Sequence, residues 1–426
     1  MRKLITAVKG TRDYYPEQMA VRTWLYQIVR GVSESFGYQE WEAPYLESLD
    51  LYAAKSGEEL VNKQSYVFKD RGGDDITLRP ELTPSLARMI AQRQGALVFP
   101  VRWWSFGPFW RYEKMQRGRS REFFQWNIDL LGADSPEADA EMIAIAIAFI
   151  RKVGLDSSQA RVYVNNRKYM DGLFNALDIQ VEERKQVSEL VDRRRKMEPK
   201  EWEEYAKAAG LSNKQFDGLK AILDDTEGWR KSDDLVRLFR ALKSYQVQDF
   251  VKFDPGTIRG LLYYTGTVFE AFDERGSVKR SILGGGRYDN LLADVGGEPV
   301  PAVGFAMGDV VISLILEELG LIPALPISPS TVLVSVFSPE LLPDSIKVSL
   351  LLRSAGMNVT CYPEPAKLPR QFKFADRMGM KAVIVLGPDE AASGKVTIKN
   401  LIAGTQETVS QGFMVAKLRE ILEQQR

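Results

Sequence analysis

Hydrophobic and polar positions change period several times along the chain, and each change predicts a different element. Over residues 1–168 short β-like runs alternate with helical ones. The stretch SLARMIAQRQG predicts a helix closed by Gly95, and ALVFPVRWWSFG after it reads as a strand. DSPEADAEMIAIAIAFIRKVG is the ambiguous segment, because IAIAIA alternates like a strand. Its length and flanks decide for a helix: Ser135 serves as N-cap, Pro136 fits the first turn, acids follow, and Gly154 closes. From 169 to 248 the pattern turns charged, aliphatic and helical (ERKQVSELVDRRRKMEPKEWEEYAKAAG), which predicts a helical insertion. Its DRRRK suits RNA or phosphate contact, but taken alone it fits a solvated helix face better. Strand patterning returns over 257–310, where LLYYTGTVFEAFD and KRSILGGGRYDNLL predict a hairpin leading into a glycine-rich bend. After the helix VVISLILEELG, the proline-rich LIPALPISPS marks a boundary. Beyond it a β-α-β-α-β pattern predicts a small domain of about 95 residues with a mostly parallel sheet. The resulting partition is a core over 1–168 and 249–325, an insertion over 169–248, and a C-terminal domain over 330–426.

Within this frame some polar groups fall in strand phase. Arg79, Glu81 and Thr83 alternate in TLRPELT, so on a strand they share one face. A carboxylate and a hydroxyl there suit an ammonium group, and the same pattern suits an exposed strand end. RYEKMQRGRSREFFQWNIDLLG, residues 111–132, predicts a strand–loop–strand hairpin. Arg111 and Glu113 share a face: the arginine fork grips phosphate bidentately, and the carboxylate could hold Mg²⁺. The loop residues Gln116, Arg117 and Arg119 are placed to touch a larger polyanion. On the returning strand Gln125, Asn127 and Asp129 point one way, and Phe124, Trp126, Ile128 and Leu130 the other. That polar face is either the floor of a pocket or a solvent-facing edge. Arg259 stands just before the pair Tyr263–Tyr264 on another β-like run.

Composition narrows the chemistry. The 426 residues include 57 basic and 57 acidic side chains, so any basic surface is local. Hydrophobic content of 45% and charged content of 27% are those of a soluble globular protein. Cys361 is the one cysteine, and there is no histidine at all. Disulfide frameworks, zinc sites and histidine-based triads are therefore not expected. Arginine, acidic side chains and tyrosine remain, a set suited to stabilising charge during phosphoryl or acyl transfer. LGGGRYDNLL is neither a P-loop nor a dinucleotide fingerprint, and no organic cofactor is expected. The longest apolar run, MIAIAIAFI, falls far short of the ~20 residues that span a bilayer. MRKLITAVKGTRDYYPEQ lacks a signal-peptide core, so no membrane association and a cytoplasmic location are expected.

Taken together and in this order, KGTRDYYP, TLRPELT, FWRYEKMQRGRSREFFQ, RGLLYYTGTVFE and LGGGRYDNLL resemble histidyl-tRNA synthetase, a class II aminoacyl-tRNA synthetase. The likeness runs from about residue 8 to residue 308, and the C-terminal region resembles that family's anticodon-binding domain. The resemblance implies an α+β fold, a six-stranded antiparallel sheet flanked by helices. Pro44 falls in the motif through which the family forms homodimers. L-histidine, ATP with Mg²⁺, and tRNA(His) are the implied partners. Glu81 and Thr83 match positions at the substrate α-ammonium, with Leu82 between them in the histidine site. Arg111 matches the arginine on the α-phosphate and also borders the histidine. Glu113 matches a position near ATP and metal, and Arg119 an ATP contact. Gln116, with Arg117 beside it, lies where the loop meets the tRNA acceptor end. Gln125, Asp129, Tyr263 and Tyr264 match the histidine pocket, and Arg259 the catalytic arginine between histidine and α-phosphate.

Two positions depart from the family pattern. Leu262 replaces a common acid, and Val311 stands where an arginine packs on adenine. Loss of that arginine points to an alternative, a histidine-sensing relative such as the regulatory subunit of ATP phosphoribosyltransferase. Such relatives usually lack the anticodon-binding domain. The missing histidines also acquire a meaning under the resemblance: a histidine-free chain is translated without the product it makes.

Overall fold

The computed structural model describes residues 4–53, 60–194, 197–258, 264–290 and 292–423. Two compact units form, Met1–Asp13 with Arg22–Pro323, and Tyr14–Val21 with Ala324–Arg426.

In the first unit the elements run α1 (Pro16–Ser35, entering from the second unit), β1 (Gln39–Glu40), β2 (Leu46–Ser48), α2 (Leu49–Ala53), β3 (Tyr66–Lys69), β4 (Asp75–Leu78), α3 (Thr83–Arg93), β5 (Val101–Trp110) and β6 (Glu122–Leu131). Next come α4 (Pro136–Lys152), β7 (Ala160–Asn166), α5 (Arg167–Ala176), α6 (Arg184–Arg193), α7 (Pro199–Ala208), α8 (Asn213–Asp224) and α9 (Asp233–Ser244). The unit ends with β8 (Val251–Phe253), β9 (Thr267–Asp273), β10 (Leu283–Tyr288), β11 (Ala302–Gly308) and α10 (Asp309–Glu318).

Its main sheet has the order β1-β5-β6-β11-β10-β9-β7-β8. The six inner strands are antiparallel, as expected. The short edge strands β1 and β8, which the sequence pattern did not reveal, add in parallel to β5 and β7. β2, β4 and β3 form a separate three-stranded sheet.

α4 settles the IAIAIA ambiguity. Ser135 Oγ accepts from Ala138 N, Pro136 starts the helix, and Gly154 takes φ +90°. Isoleucine and alanine are buried all round it, because the helix lies under the sheet. Trp126 packs on Phe149 of that helix and edge-on to Phe305. Arg287 points to the same side: its Nη2 donates to Asp139 Oδ1 at 2.6 Å and to Ser135 O at 3.1 Å, fastening the start of α4 to the sheet. Helices α5 to α8 carry a core of their own around Trp202, Leu190 and Leu219.

Two expectations need correction. The glycine-rich LGGGRY is a central strand, β10, fully buried between β9 and β11, and no bend. Glycine is needed there because a Cβ on Gly285 would lie 2.2 Å from Gly304 O, and one on Gly286 2.6 Å from Thr267 O. Glu81 and Thr83 are not in strand phase with Arg79. β4 ends at Leu78, Pro80 offers no ladder N–H, and α3 starts at Thr83 with Pro84 in its first turn. Arg79 instead is buried, ion-paired to Glu42, and donates to Pro108 O (3.0 Å) and Ala43 O (3.1 Å).

The second unit contains β12 (Val332–Val334), α11 (Leu342–Ser354), β13 (Val359–Cys361), α12 (Leu368–Arg377), β14 (Ala382–Val385), α13 (Pro388–Ser393), β15 (Lys395–Asn400), β16 (Gln406–Ser410) and α14 (Met414–Glu423). The expected β-α-β-α-β is present and its three strands are parallel. β15 and β16 extend the sheet as an antiparallel hairpin, so it is mixed. No helix among the described residues is long and apolar enough to cross a membrane.

Candidate active site

Cross-strand neighbours share a face, and the register of β6, β11 and β10 puts Gln125, Asn127 and Asp129 beside Gly308, Ala306 and Gly304. β10 continues the row with Gly284 and Gly286. One face of the sheet is thus almost stripped of side chains at its centre. The other face carries Trp126, Ile128, Phe305 and Met307 into the core. The bare face opens into a cavity of 1460 Å³. That exceeds the span usual for one small ligand, and suits two held side by side.

The polar strand face therefore lines a cavity and is no solvent edge. At its deep end Asp129 is 5% exposed and accepts from the Tyr288 hydroxyl at 2.5 Å. Burial pushes the Asp129 carboxyl up to about 7, and the Tyr288 hydrogen bond offsets only part of that. Tyr264, buried, stands against Gly286 on the same wall. The glycine triplet in LGGGRY suggests a bend and so hides Tyr288 from the sequence pattern. Read as a strand, it places Tyr288 in phase with Gly284 and Gly286.

At the other end the β5–β6 hairpin supplies the charges. The ladder runs to Trp110 and Glu122, so Arg111 and Glu113 stand on the loop and not on the strand expected for them. Tyr112 N leaves the ladder to donate to Gln64 O at 2.6 Å, which turns the chain. Arg111 Nε donates to Pro80 O at 2.8 Å, and its guanidinium sits 5.4 Å from the Phe123 ring. This fixes the plane of the group while it lines the cavity. Glu113, buried, is ion-paired to Arg119, and both line the cavity.

Glu81, Thr83, Arg111, Glu113, Arg119, Gln125, Asp129 and Tyr264 are thus brought to one cavity. Leu82 is not among its lining residues: its side chain is 1% exposed in the apolar core with Leu86 and Phe109. Gln116 and Arg117 lie at the exposed loop tip, where Arg117 is ion-paired to Glu318 of α10. Arg259, Leu262 and Tyr263 lie outside the described residues. The helical segment contributes Arg167, Arg184, Lys185 and Arg193 to the same cavity. Val311, in the first turn of α10, lines it too, and so does Arg280, which the sequence did not single out. Among the described residues no group of three or more acidic, cysteine or histidine side chains is placed to hold a metal.

A family model described as histidyl-tRNA synthetase matches residues 10–309, and one described as anticodon binding domain matches residues 331–421. The histidine–tRNA ligase of Halobacterium salinarum is 37% identical over 413 residues, 94% of this chain and 95% of that one. That of Thermoplasma volcanium is 37% identical over 429 residues, covering 98% and 99%. The crystal structure of histidyl-tRNA synthetase from Nostoc sp. PCC 7120 superposes with a TM-score of 0.83 at 26% identity, covering 98% of this chain and all of that one. With motifs, fold and near full-length relatives in agreement, the chain belongs to the histidyl-tRNA synthetase family.

Proposed function

We propose that the chain activates L-histidine with ATP to histidyl-adenylate and transfers the histidyl group to tRNA(His). The observation that carries this is one cavity with a buried acid–phenol pair at one end and fixed arginine at the other. Neutral imidazole has one donor and one acceptor, and a pocket of hydrogen-bonding groups rejects side chains that leave those groups unpaired. Glu81 and Thr83 offer a carboxylate and a hydroxyl to the α-ammonium. The histidine carboxylate, already ionised, attacks the α-phosphorus; the new P–O bond forms as the bond to pyrophosphate breaks, and no general base is needed. The developing charge falls on the Arg111 guanidinium, whose orientation is set in advance by Pro80 and Phe123. The family's Arg259 adds a second cation in this reading.

Mg²⁺ accompanies ATP. Glu113 is one buried carboxylate without a cluster of others around it. That fits an ion that keeps phosphate and water ligands and takes only one or two carboxylates. When bound, the ion neutralises phosphate charge. Glu113 would hold it by exchanging its present partner Arg119.

The remaining parts follow the same reading: a helical insertion over 169–248 between the two core segments, a homodimer built through the Pro44 region, and a cytoplasmic enzyme. Val311 favours a second reading, a histidine sensor with weak ATP binding. The match to an anticodon binding domain over residues 331–421 counts against it. Pyrophosphate exchange measured with each of the twenty amino acids separates the two. Exchange with histidine alone is expected, reduced ~10²–10³-fold in Arg111→Ala. Histidine binding without exchange would replace this reading with the sensor.

A further inference from the structure

Val311 is 7% exposed and faces the cavity, so the start of α10 offers no cation where the family places one. A different segment reaches that spot. Arg280 precedes β10, and its side chain and that of Val311 both border Gly118 at the tip of the β5–β6 loop. A Cβ built on Gly118, at φ +78°, would lie 3.2 Å from Arg280 Cδ and 3.5 Å from Val311 Cγ2. The left-handed backbone at Gly118, which favours glycine, carries the tip against both.

The backbone that presents Arg280 is fastened on either side. Asp273 accepts from Arg275 Nε at 2.8 Å, Ser277 Oγ at 2.6 Å and Val278 N at 3.3 Å. Val278 is buried, and Ile282 N donates to Ala271 O at 2.7 Å. The guanidinium itself has no hydrogen bond or ion pair among the described residues. Burial, together with the nearby Arg119 charge, pushes it down from its ordinary value, and Glu113 only partly offsets this. A half-buried cation beside another cation is costly unless an anion or a π-face arrives to meet it.

We propose that Arg280 is an ATP-binding residue, supplying from the β9–β10 connection the nucleotide contact that position 311 of α10 lacks. The inference rests on the synthetase reading. A planar guanidinium can lie on the purine or fork onto phosphate oxygens, and both contacts belong to the same nucleotide. Arg111 and Arg280 would then hold ATP from two different strand connections.

Calorimetric titration of the full chain with ATP, and separately with histidine, tests this. Arg280→Ala should weaken ATP about 10- to 100-fold, the size of one charge-assisted contact, and leave histidine affinity within about twofold. The unchanged histidine affinity also certifies the fold. Arg280→Lys should recover affinity if phosphate is the contact and fail to recover it if the purine is. Arg280→Ala combined with Val311→Arg should restore ATP binding. Equal ATP affinity of wild type and Arg280→Ala overturns the inference, as does equal loss for ATP and histidine. Wild-type binding of ATP without histidine-dependent exchange would overturn the synthetase reading while Arg280 could still pass, so the two failures are distinct. Absence of ATP binding by the wild type overturns both.

Discussion

Asp129 is a carboxyl that burial holds up to about 7 while Tyr288 donates to it. In the folded chain it keeps its proton up to about that pH; in the unfolded chain it loses it near 4. Folding therefore takes up a proton in between. This group's contribution to stability is full below pH 4 and is lost as pH rises through 7. Asp129→Asn is thus expected to stabilise the ligand-free protein at pH 8 by about 2–4 kcal/mol and to change little at pH 4, read as melting temperatures at the two pH values. An equal effect at both pH values would contradict it. The same carboxyl was legible in the sequence, because Gln125, Asn127 and Asp129 alternate with large apolar residues in an unbroken strand. Arg79, Leu82 and Tyr288 were not. Pro80 and Pro84 break the phase between Arg79 and Thr83, and a glycine triplet hides the strand that delivers Tyr288.

The element that makes the cavity is a pair of neighbouring strands, β10 and β11, with little or no side chain on one face. A Cβ on Gly304 would stand 2.0 Å from Asp129 Oδ1 and 2.7 Å from Ile128 O. Gly304→Ala must therefore move Asp129 or part the β6–β11 ladder. The expected outcome is a loss of about 1–3 kcal/mol in stability and a rise of at least about tenfold in KM for histidine, with KM for ATP much less affected. Thermal melts and exchange kinetics in both substrates would check it; an unchanged KM for histidine would mean that the floor is not where histidine lies. Long, strongly patterned elements such as α4, β5 and β6 were readable because periodicity and caps agreed. The β15–β16 hairpin was not read, although Val396 and Ile398 alternate with polar residues and are buried. Its outer strand is mostly exposed and gives little apolar signal. β1 and β8, of two and three residues, are too short to show any period.

For the whole molecule, the three-stranded sheet leaves Leu46 and Phe68 on one face, 47% and 44% exposed. Tyr45 beside them is likewise exposed. Such a patch next to Pro44 fits the expected homodimer. Sedimentation equilibrium should give twice the chain mass, and Leu46→Asp with Phe68→Asp should shift it toward the monomer; a monomeric wild type would remove the dimer from the proposal. Sheet order carries a different consequence. The seam between β6 and β11 joins residues 125–131 to residues 302–308, so a ribosome must finish the whole helical stretch before that seam can close. Until then β6 is a naked strand edge on a nascent chain, open to wrong partners. The helices made in the interval fold through local contacts and gain shelter early, whereas the floor of the cavity is assembled only after they are made.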